Sequence, residues 1–208
     1  GAALLSLALA APDAHAGGSL ADEIAELLGV FRDSHDFPGA TAAIALPDGT
    51  IARAATGLAD VEAGLEMVPE SRMLAASIGK TFVGSTVLAL ESEGRLSQAD
   101  LLADHLGDRA WFADLPNART ITLGHLLHHR SGLPDHPHLP EFQEAAAARI
   151  ASGTGAFTPQ ELLGFVTGRE ALFDAGTAWA YSDTGYILLG LVIEEVTGRS
   201  YYDSLRER

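Results

Sequence analysis

The stretch between residues 77 and 93 constrains the fold of this chain most strongly. Its sequence, SIGKTFVGSTVLALESE, places apolar side chains almost all the way round a helix, and Gly94 follows as a natural C-terminal stop. A helix without a polar face needs protein on every side, so we expect it at the centre of its domain. The chain of 208 residues is long enough for one domain with a sizeable core around that helix.

The remaining segments predict an α+β fold. Residues 41–57 are two short apolar segments around Pro47, Asp48 and Gly49, which is a β-hairpin signal. A loop ending in AYSDTGY leads into an apolar helix that Gly198 terminates. N-terminal capping signals or helical periodicity predict further helices at residues 19–35, 97–106, 141–150, 158–166 and 200–208.

Charge and cysteine content exclude several function classes. The formal net charge is −15 and no basic stripe interrupts it, which argues against nucleic acid and against an anionic membrane surface as partners. The chain has no cysteine, so it has no thiolate nucleophile, no disulfide framework and no cysteine-based zinc site.

The first sixteen residues are interpreted separately from the rest. The apolar run AALLSLALAA is too short to span a bilayer but suits the core of a signal peptide, and AHA at 14–16 has the form of a cleavage site. A buried N-terminal helix is the alternative. The cleavage site favours export, so we predict a signal-peptide remnant at 1–16, a folded domain at 17–208 and a periplasmic or extracellular protein without a stable membrane span.

Lys80 is the only lysine, since the other twelve basic residues are all Arg. Lysine can lose its proton when it is desolvated, whereas Arg cannot, so a position that must exchange a proton can use Lys but not Arg. Ser77 lies three residues earlier, on the same helical face. We expect burial to lower the pKa of Lys80, so that neutral Lys80 can take the proton of a nucleophilic Ser77. The alternative is a capping Ser beside a Lys that snorkels to the surface.

A second element lies about a hundred residues downstream, where AYSDTGY supplies Tyr181, Ser182 and Asp183. With both elements in this order, the chain resembles the penicillin-recognising serine hydrolases, and most closely the branch of class C β-lactamases, D-Ala-D-Ala carboxypeptidases and related esterases. The stretches ITLGHLLHHRSGLPD and LFDAGTAWAYSDTGYILLG are also similar to that family, and the resemblance covers roughly residues 22–208.

The resemblance implies a role for each matching residue. Ser77 would attack a carbonyl and form an acyl-enzyme, with Lys80 as base or proton shuttle, Tyr181 relaying protons, and the Ser77 backbone N–H contributing to an oxyanion hole. Asp183 stands where the family more often has Asn. A carboxylate only accepts hydrogen bonds, so Asp183 would hold Lys80 more strongly protonated and could not donate to an amide substrate, which favours esters.

The family also implies a β-lactamase/transpeptidase-like fold, in which a helical region packs on an antiparallel sheet. The family's third motif and its C-terminal strands would follow well after residue 208, so we interpret the chain as an N-terminal fragment and expect it to be poorly active alone. The implied substrate is a β-lactam, a D-amino-acid peptide such as a peptidoglycan peptide, or an ester. The resemblance implies neither a metal nor an organic cofactor.

Two other functions remain open. Residues 125–138, HLLHHRSGLPDHPH, contain Asp135 and five histidines, at 125, 128, 129, 136 and 138. The first three histidines have a spacing that can bind Zn²⁺ from one helical face. The alternative for this stretch is a loop beside the cleft whose His129 and Ser131 are held by hydrogen bonds. The other function is a ligand sensor or decayed relative that binds penicillins without turnover, which the Asp183 departure keeps open.

Overall fold

The computed structural model describes residues 19–208, so the predicted signal-peptide remnant lies outside the described residues. The chain divides after Leu74 into two compact units. Helices and an antiparallel sheet together confirm the α+β class.

The described part of the first unit is one helix and a three-stranded sheet. Helix α1 (Leu20–His35) begins with the predicted capping box of Ser19 and Asp22. Strands β1 (Gly39–Ala45), β2 (Ile51–Asp60) and β3 (Leu65–Glu66) pair antiparallel in the order β1-β2-β3. The β1–β2 turn confirms the predicted hairpin. The small core of this unit comprises Ile24, Ala52 and Ala54.

The second unit is helical. Its helices are α2 (Gly79–Ser92), α3 (Leu102–Leu106), α4 (Leu123–Leu127), α5 (Pro140–Ser152), α6 (Pro159–Gly164), α7 (Asp183–Thr197) and α8 (Tyr201–Glu207). Helices α5 to α8 confirm the predicted segments, and Gly198 ends α7 in the left-handed conformation. Apolar side chains of α2, α4 and α7 meet in the core, which includes Val87, Leu90, Leu126, Leu188 and Ile193.

Helix α2 is less buried than its sequence predicts. It packs against α7 and α8, and buries a stripe of four residues: Val83, Thr86, Val87 and Leu90. Ile78, Phe82 and Leu88 are exposed. Within the second unit the prediction of a helix buried on all sides was therefore wrong, because the helices of this unit contact α2 on one side only.

The helix predicted at residues 97–106 begins five residues late, at Leu102. The Asp100 side chain accepts a hydrogen bond from the Ser97 N–H at 2.7 Å, as a cap would. The backbone that follows pairs with another segment instead: Leu102 N–H donates to the Ile121 carbonyl at 2.8 Å, and the Asp100 carbonyl accepts from Leu123 at 3.0 Å. A backbone engaged in this bridge cannot also make the first helical turn.

Two loops that carry the family-like stretches are fastened to each other in the second unit. Leu172 N–H donates to the Gly132 carbonyl at 2.8 Å, and Asn117 Nδ2 donates to the carbonyls of Ser131 at 2.9 Å and Phe173 at 2.8 Å. Gly132 has φ +75°, and a Cβ there would lie 2.1 Å from the Phe173 oxygen. Only glycine fits this approach, so Gly132 fixes the separation of the two loops.

None of the helices described for residues 19–208 combines the length and the apolar character that a membrane-crossing helix needs.

Candidate active site

Ser77 lies in a short 3₁₀ turn, Ala76–Ile78, directly before α2. The preceding residue, Ala76, has φ 45°, a value that residues with a Cβ rarely adopt. Strained backbone of this kind costs about 1–3 kcal/mol and persists where the surroundings enforce it, often at functional sites. The turn leaves the Ser77 side chain at the surface, where a substrate can reach it.

Lys80 lies in the first turn of α2 and reaches back to Ser77. Its Nζ donates to the Ser77 Oγ at 3.4 Å, so the i, i+3 spacing brings the two side chains together. Lys80 also forms an ion pair with the Asp183 carboxylate. The Lys80 side chain is only 16% exposed and that of Asp183 is 33% exposed, so solvent screens this pair less than a surface pair.

The expected lowering of the Lys80 pKa was wrong. Burial lowers the pKa of Lys80, but the hydrogen bonds that its ammonium group makes to Asp183 and Tyr181 and the charge of Asp183 together raise it above its ordinary value of 10.5. Burial is the largest single effect, but Asp183 and Tyr181 together outweigh it because both lie close to the ammonium group. Lys80 is therefore a cation in this arrangement.

Tyr181 completes the contact with Ser77. The two hydroxyl oxygens lie 2.7 Å apart, and the Lys80 Nζ lies 4.7 Å from the centroid of the Tyr181 ring. The other tyrosine beside Lys80, Tyr186, donates its hydroxyl to the Leu127 carbonyl at 2.9 Å. Burial raises the pKa of Tyr186. Of these two phenols, only that of Tyr181 faces the serine.

Asp183 is the first residue of α7, and Ser182 caps that helix. The Asp183 backbone N–H donates to Asp135 Oδ1 at 2.7 Å. The Asp135 side chain is only 8% exposed. Asp135 thus fixes the backbone from which Asp183 reaches Lys80. The sequence prediction missed this contact, although Asp135 ends the family-like SGLPD stretch.

The histidines of residues 125–138 do not share a helical face. Helix α4 ends at Leu127, and His129 follows with φ 57°. His125 Nδ1 accepts from the Thr122 N–H at 3.2 Å, and His129 Nδ1 accepts from the Ser182 N–H at 3.2 Å. Among residues 19–208 no group of three or more His, Asp or Glu side chains is placed to hold a metal ion. The prediction that His125, His128 and His129 lie on one helical face was wrong because α4 ends before His128.

A cavity with a volume of about 830 Å³ opens beside Lys80 and Asp183. Apolar side chains of α2 and α7 line much of it, among them Phe82, Val83 and Ile187. It offers room for an apolar group next to the ion pair.

Comparison with known proteins identifies the family and the fold of this chain. The family model described as Beta-lactamase matches residues 21–208. The chain belongs to this family, and its fold is β-lactamase/transpeptidase-like, as the sequence resemblance predicted.

Individual relatives support the same assignment. The chain is 31% identical over 189 residues to penicillin-binding protein 4 of Amycolatopsis lactamdurans, covering 88% of this chain and 45% of the relative. It is similar to the crystal structure of a D-stereospecific amidohydrolase from Streptomyces sp., with a TM-score of 0.75 and 28% identity over 92% of this chain and 53% of that one.

A second solved structure is also similar. The D-amino acid amidase from Ochrobactrum anthropi SV3, complexed with L-phenylalanine, has a TM-score of 0.73 and 27% identity, covering 91% of this chain and 51% of that one. The chain spans about half the length of the relatives it matches.

Proposed function

We propose that this protein is a serine hydrolase that forms an acyl-enzyme on Ser77. One observation carries the proposal: the Ser77 oxygen lies within hydrogen-bonding distance of both the Tyr181 hydroxyl, at 2.7 Å, and the Lys80 ammonium group, at 3.4 Å. A serine becomes a nucleophile when an adjacent group can take its proton. Membership of the Beta-lactamase family supports the same chemistry.

The proposed acylation step has a defined proton route. The Ser77 oxygen attacks the substrate carbonyl carbon, and its proton passes to the oxygen of Tyr181, the nearer of the two partners. The Tyr181 hydroxyl gives its own proton to the oxygen or nitrogen of the leaving group as the bond from that atom to the carbonyl carbon breaks, so Tyr181 ends the step as it began. Lys80 lies beside the Tyr181 ring and can stabilise the negative charge that the phenol oxygen carries when its own proton leaves before the Ser77 proton arrives. Water later hydrolyses the acyl-Ser77 ester and regenerates the serine.

The proposed substrate is an ester or amide of a D-amino acid. The two solved neighbours are named for D-stereospecific amide hydrolysis and for a D-amino acid amidase, and a curated relative is a penicillin-binding protein. Asp183 shifts the preference towards esters, because its carboxylate cannot donate a hydrogen bond to an amide carbonyl. β-Lactams and peptidoglycan peptides are the other substrates to be tested.

Intact mass spectrometry tests the proposal. The complete gene product and its Ser77→Ala variant are incubated with a fluorophosphonate, with a penicillin, and with a D-amino-acid ester. We expect a mass gain in the wild type that is absent from Ser77→Ala. Equal labelling of both proteins, or of neither, would overturn the assignment of Ser77. Labelling by fluorophosphonate alone would favour the esterase branch over penicillin recognition.

A second function, ligand sensing without turnover, is favoured by the ion pair of Lys80 with Asp183. A Lys80 held as a cation is a poor base for the water that must release the acyl group. A time course separates the two functions: a hydrolase loses the penicillin or ester adduct and accumulates product, whereas a sensor retains one adduct per molecule.

We also propose that the protein is exported, on the sequence of residues 1–16 alone. Edman sequencing of the mature protein, or detection of residues 1–16 at its N-terminus, distinguishes cleavage after Ala16 from retention of this segment.

A further inference from the structure

The loop that carries Tyr181 is held by backbone hydrogen bonds to another segment. The Ala180 N–H donates to the His129 carbonyl at 3.0 Å, and the Ser182 N–H donates to His129 Nδ1 at 3.2 Å. The Asp183 N–H donates to Asp135. His129 therefore binds the amide on each side of Tyr181, one through its backbone and one through its ring.

The ring of His129 also packs on Tyr181 directly. The two rings are stacked, with centroids 4.4 Å apart and an interplanar angle of 30°. Tyr186 lies 5.2 Å away, and Trp179 meets the imidazole edge-on at 6.2 Å. These neighbours fix the plane of the imidazole, and the imidazole in turn limits where the phenol of Tyr181 can lie.

The backbone of His129 is strained. Its φ of 57° is uncommon for a residue with a Cβ, although His and Asn tolerate it better than most. Such a conformation costs about 1–3 kcal/mol unless its surroundings enforce it. Here it allows the carbonyl and the ring of one residue to bind the same loop.

We propose that His129 is a positioning residue, which in its neutral form holds the Tyr181 hydroxyl against Ser77 and on protonation releases it. The inference rests on the proposed function, because Tyr181 matters for catalysis only if Ser77 is the nucleophile. Neutral imidazole with its proton on Nε2 has a free lone pair on Nδ1 for the Ser182 N–H. Protonated imidazole has none, and its Nδ1–H would oppose that N–H.

Burial and the Lys80 cation keep His129 neutral over most of the physiological range. Burial lowers the pKa of His129 and the Lys80 cation lowers it further, while the negative charges of Asp183 and Asp135 act in the opposite direction. The hydrogen bond that Nδ1 accepts from the Ser182 N–H exists only in the neutral form and favours that form. The net pKa is lowered from 6.5. Activity that requires neutral His129 is thus complete above about pH 6.5 and is lost as the pH falls through the lowered pKa of His129. The groups that face the imidazole are Lys80 of α2, Asp183 and Tyr186 of α7, Tyr181 and Asp135.

Three variants separate the features of His129. His129→Asn removes the ring but keeps an acceptor near Nδ1 and tolerates the positive φ. His129→Phe keeps a ring that can stack but has no acceptor. His128→Asn makes the first change at the exposed neighbouring histidine and serves as the matched control.

The rate of fluorophosphonate labelling and the hydrolysis of a D-amino-acid ester are measured from pH 4.5 to 8. We expect His129→Phe to lose about 10²-fold in kcat with little change in KM, since small misplacements of catalytic groups have effects of that size. We expect His129→Asn to retain activity within roughly tenfold of the wild type and to lose the acid limb of the pH profile. His128→Asn should keep the wild-type rate and profile.

Two results would overturn the proposal: an unchanged acid limb in His129→Asn, or a His129→Phe variant as active as the control. Equal thermal stability of the variants excludes general unfolding as the cause. Nuclear magnetic resonance gives a readout that does not need activity, because the Tyr181 ring signals must shift at the pH where the His129 ring titrates. If the wild type is never labelled while this coupled shift is present, the proposed function fails and the placement of Tyr181 by His129 stands. If the shift is absent, the placement fails.

Discussion

The candidate site has two halves, the turn that carries Ser77 and the loop that carries Tyr181, and different kinds of contact hold them in place. Ser77 stands on a turn at the surface, and Ile78 beside it is 66% exposed. Tyr181 stands on a loop whose next residue, Ser182, is 1% exposed and is hydrogen bonded to a segment about fifty residues earlier in the chain. The serine is placed by local backbone geometry, whereas the tyrosine is placed by long-range contacts.

This difference shows where each half is vulnerable. Changes in residues 129–136 should displace Tyr181 without moving Ser77, because their hydrogen bonds reach the 180–184 loop. Lys80 joins the halves, since it contacts Ser77 on one side and Asp183 on the other. Substitutions can therefore remove Lys80, which joins the halves, displace Ser77 or Tyr181, or remove the charge of Asp183 that holds Lys80.

The largest effect is expected from Lys80→Arg. Arginine keeps the positive charge but has a wider, planar head group, so it can neither occupy the space between Ser77 and Asp183 nor lie beside the Tyr181 ring in the same way. We expect acylation to fall by about 10³-fold or more. Labelling kinetics with the fluorophosphonate measure it, and circular dichroism checks that the fold persists. A Lys80→Arg enzyme that acylates at the wild-type rate would contradict the role of the Lys80 ammonium group beside Tyr181.

The next largest effect is expected from Tyr181→Phe, which tests the long-range half. The change removes only the hydroxyl that lies 2.7 Å from the Ser77 oxygen. We expect a loss of about 10²–10³-fold in kcat at nearly constant KM, as for a general acid–base group. Tyr202→Phe, at a phenol that is 66% exposed, is the matched control and should behave as wild type. Similar activity in both variants would remove Tyr181 from the proton route.

The sequence predicted the local half of the site better than the long-range half. The i, i+3 spacing of Ser77 and Lys80 follows from helical geometry alone, and the structure brings them together. Tyr181 was found only through the family resemblance, because its approach to Ser77 depends on contacts that join distant segments. The catalytic roles of these three residues and of Asp183 stay predictions.

The errors have a common physical origin. From the sequence, burial was expected to lower the pKa of Lys80 and Asp183 to hold Lys80 protonated, and the balance between these effects follows only from the contacts with Asp183 and Tyr181 in the structure. The exposed stripe of α2 and the late start of α3 were missed for the same reason. The residue pattern predicts the secondary structure that a segment favours by itself. It does not predict which neighbour packs against the segment or which group accepts its backbone hydrogen bonds.

A stability measurement tests whether the contact of Gly132 with Phe173 holds the two family-like loops together. Gly132→Ala would place a Cβ 2.1 Å from the Phe173 carbonyl at a φ of +75°, so the loops must separate. We expect a loss of about 1–3 kcal/mol in the free energy of unfolding, together with slower acylation through Tyr181. Gly190→Ala in α7 is the matched control, since nothing lies within 4 Å of that position. Because alanine favours the helix, the control should gain about 0.5–1 kcal/mol. Urea unfolding measures both, and equal effects in the two variants would contradict the role of Gly132.

The smallest change in rate, and the most informative change in pH dependence, is expected from Asp183→Asn. The amide can still accept from Lys80 but removes the negative charge, so the pKa of Lys80 should fall. The pH at which Lys80 becomes neutral then moves down, so the alkaline limb of the kcat/KM profile, on which the Lys80 cation beside Tyr181 is lost, moves to lower pH. Asp108→Asn, at a side chain that is 84% exposed, controls for the change in net charge.

Asp183→Asn should also change the thermal stability of the protein, and the size of that change should depend on pH. Because folding raises the Lys80 pKa, the ion pair stabilises the native state fully below the ordinary value of 10.5, and this stabilisation is lost as the pH rises through the raised value. The Tm difference between wild type and Asp183→Asn should therefore be largest near neutral pH and shrink above about 10.5. A constant difference across that range would mean that Asp183 stabilises the fold by packing or capping α7 rather than by its charge on Lys80. In that case the position of Lys80 between Ser77 and Asp183 would depend on packing and not on the charge of Asp183.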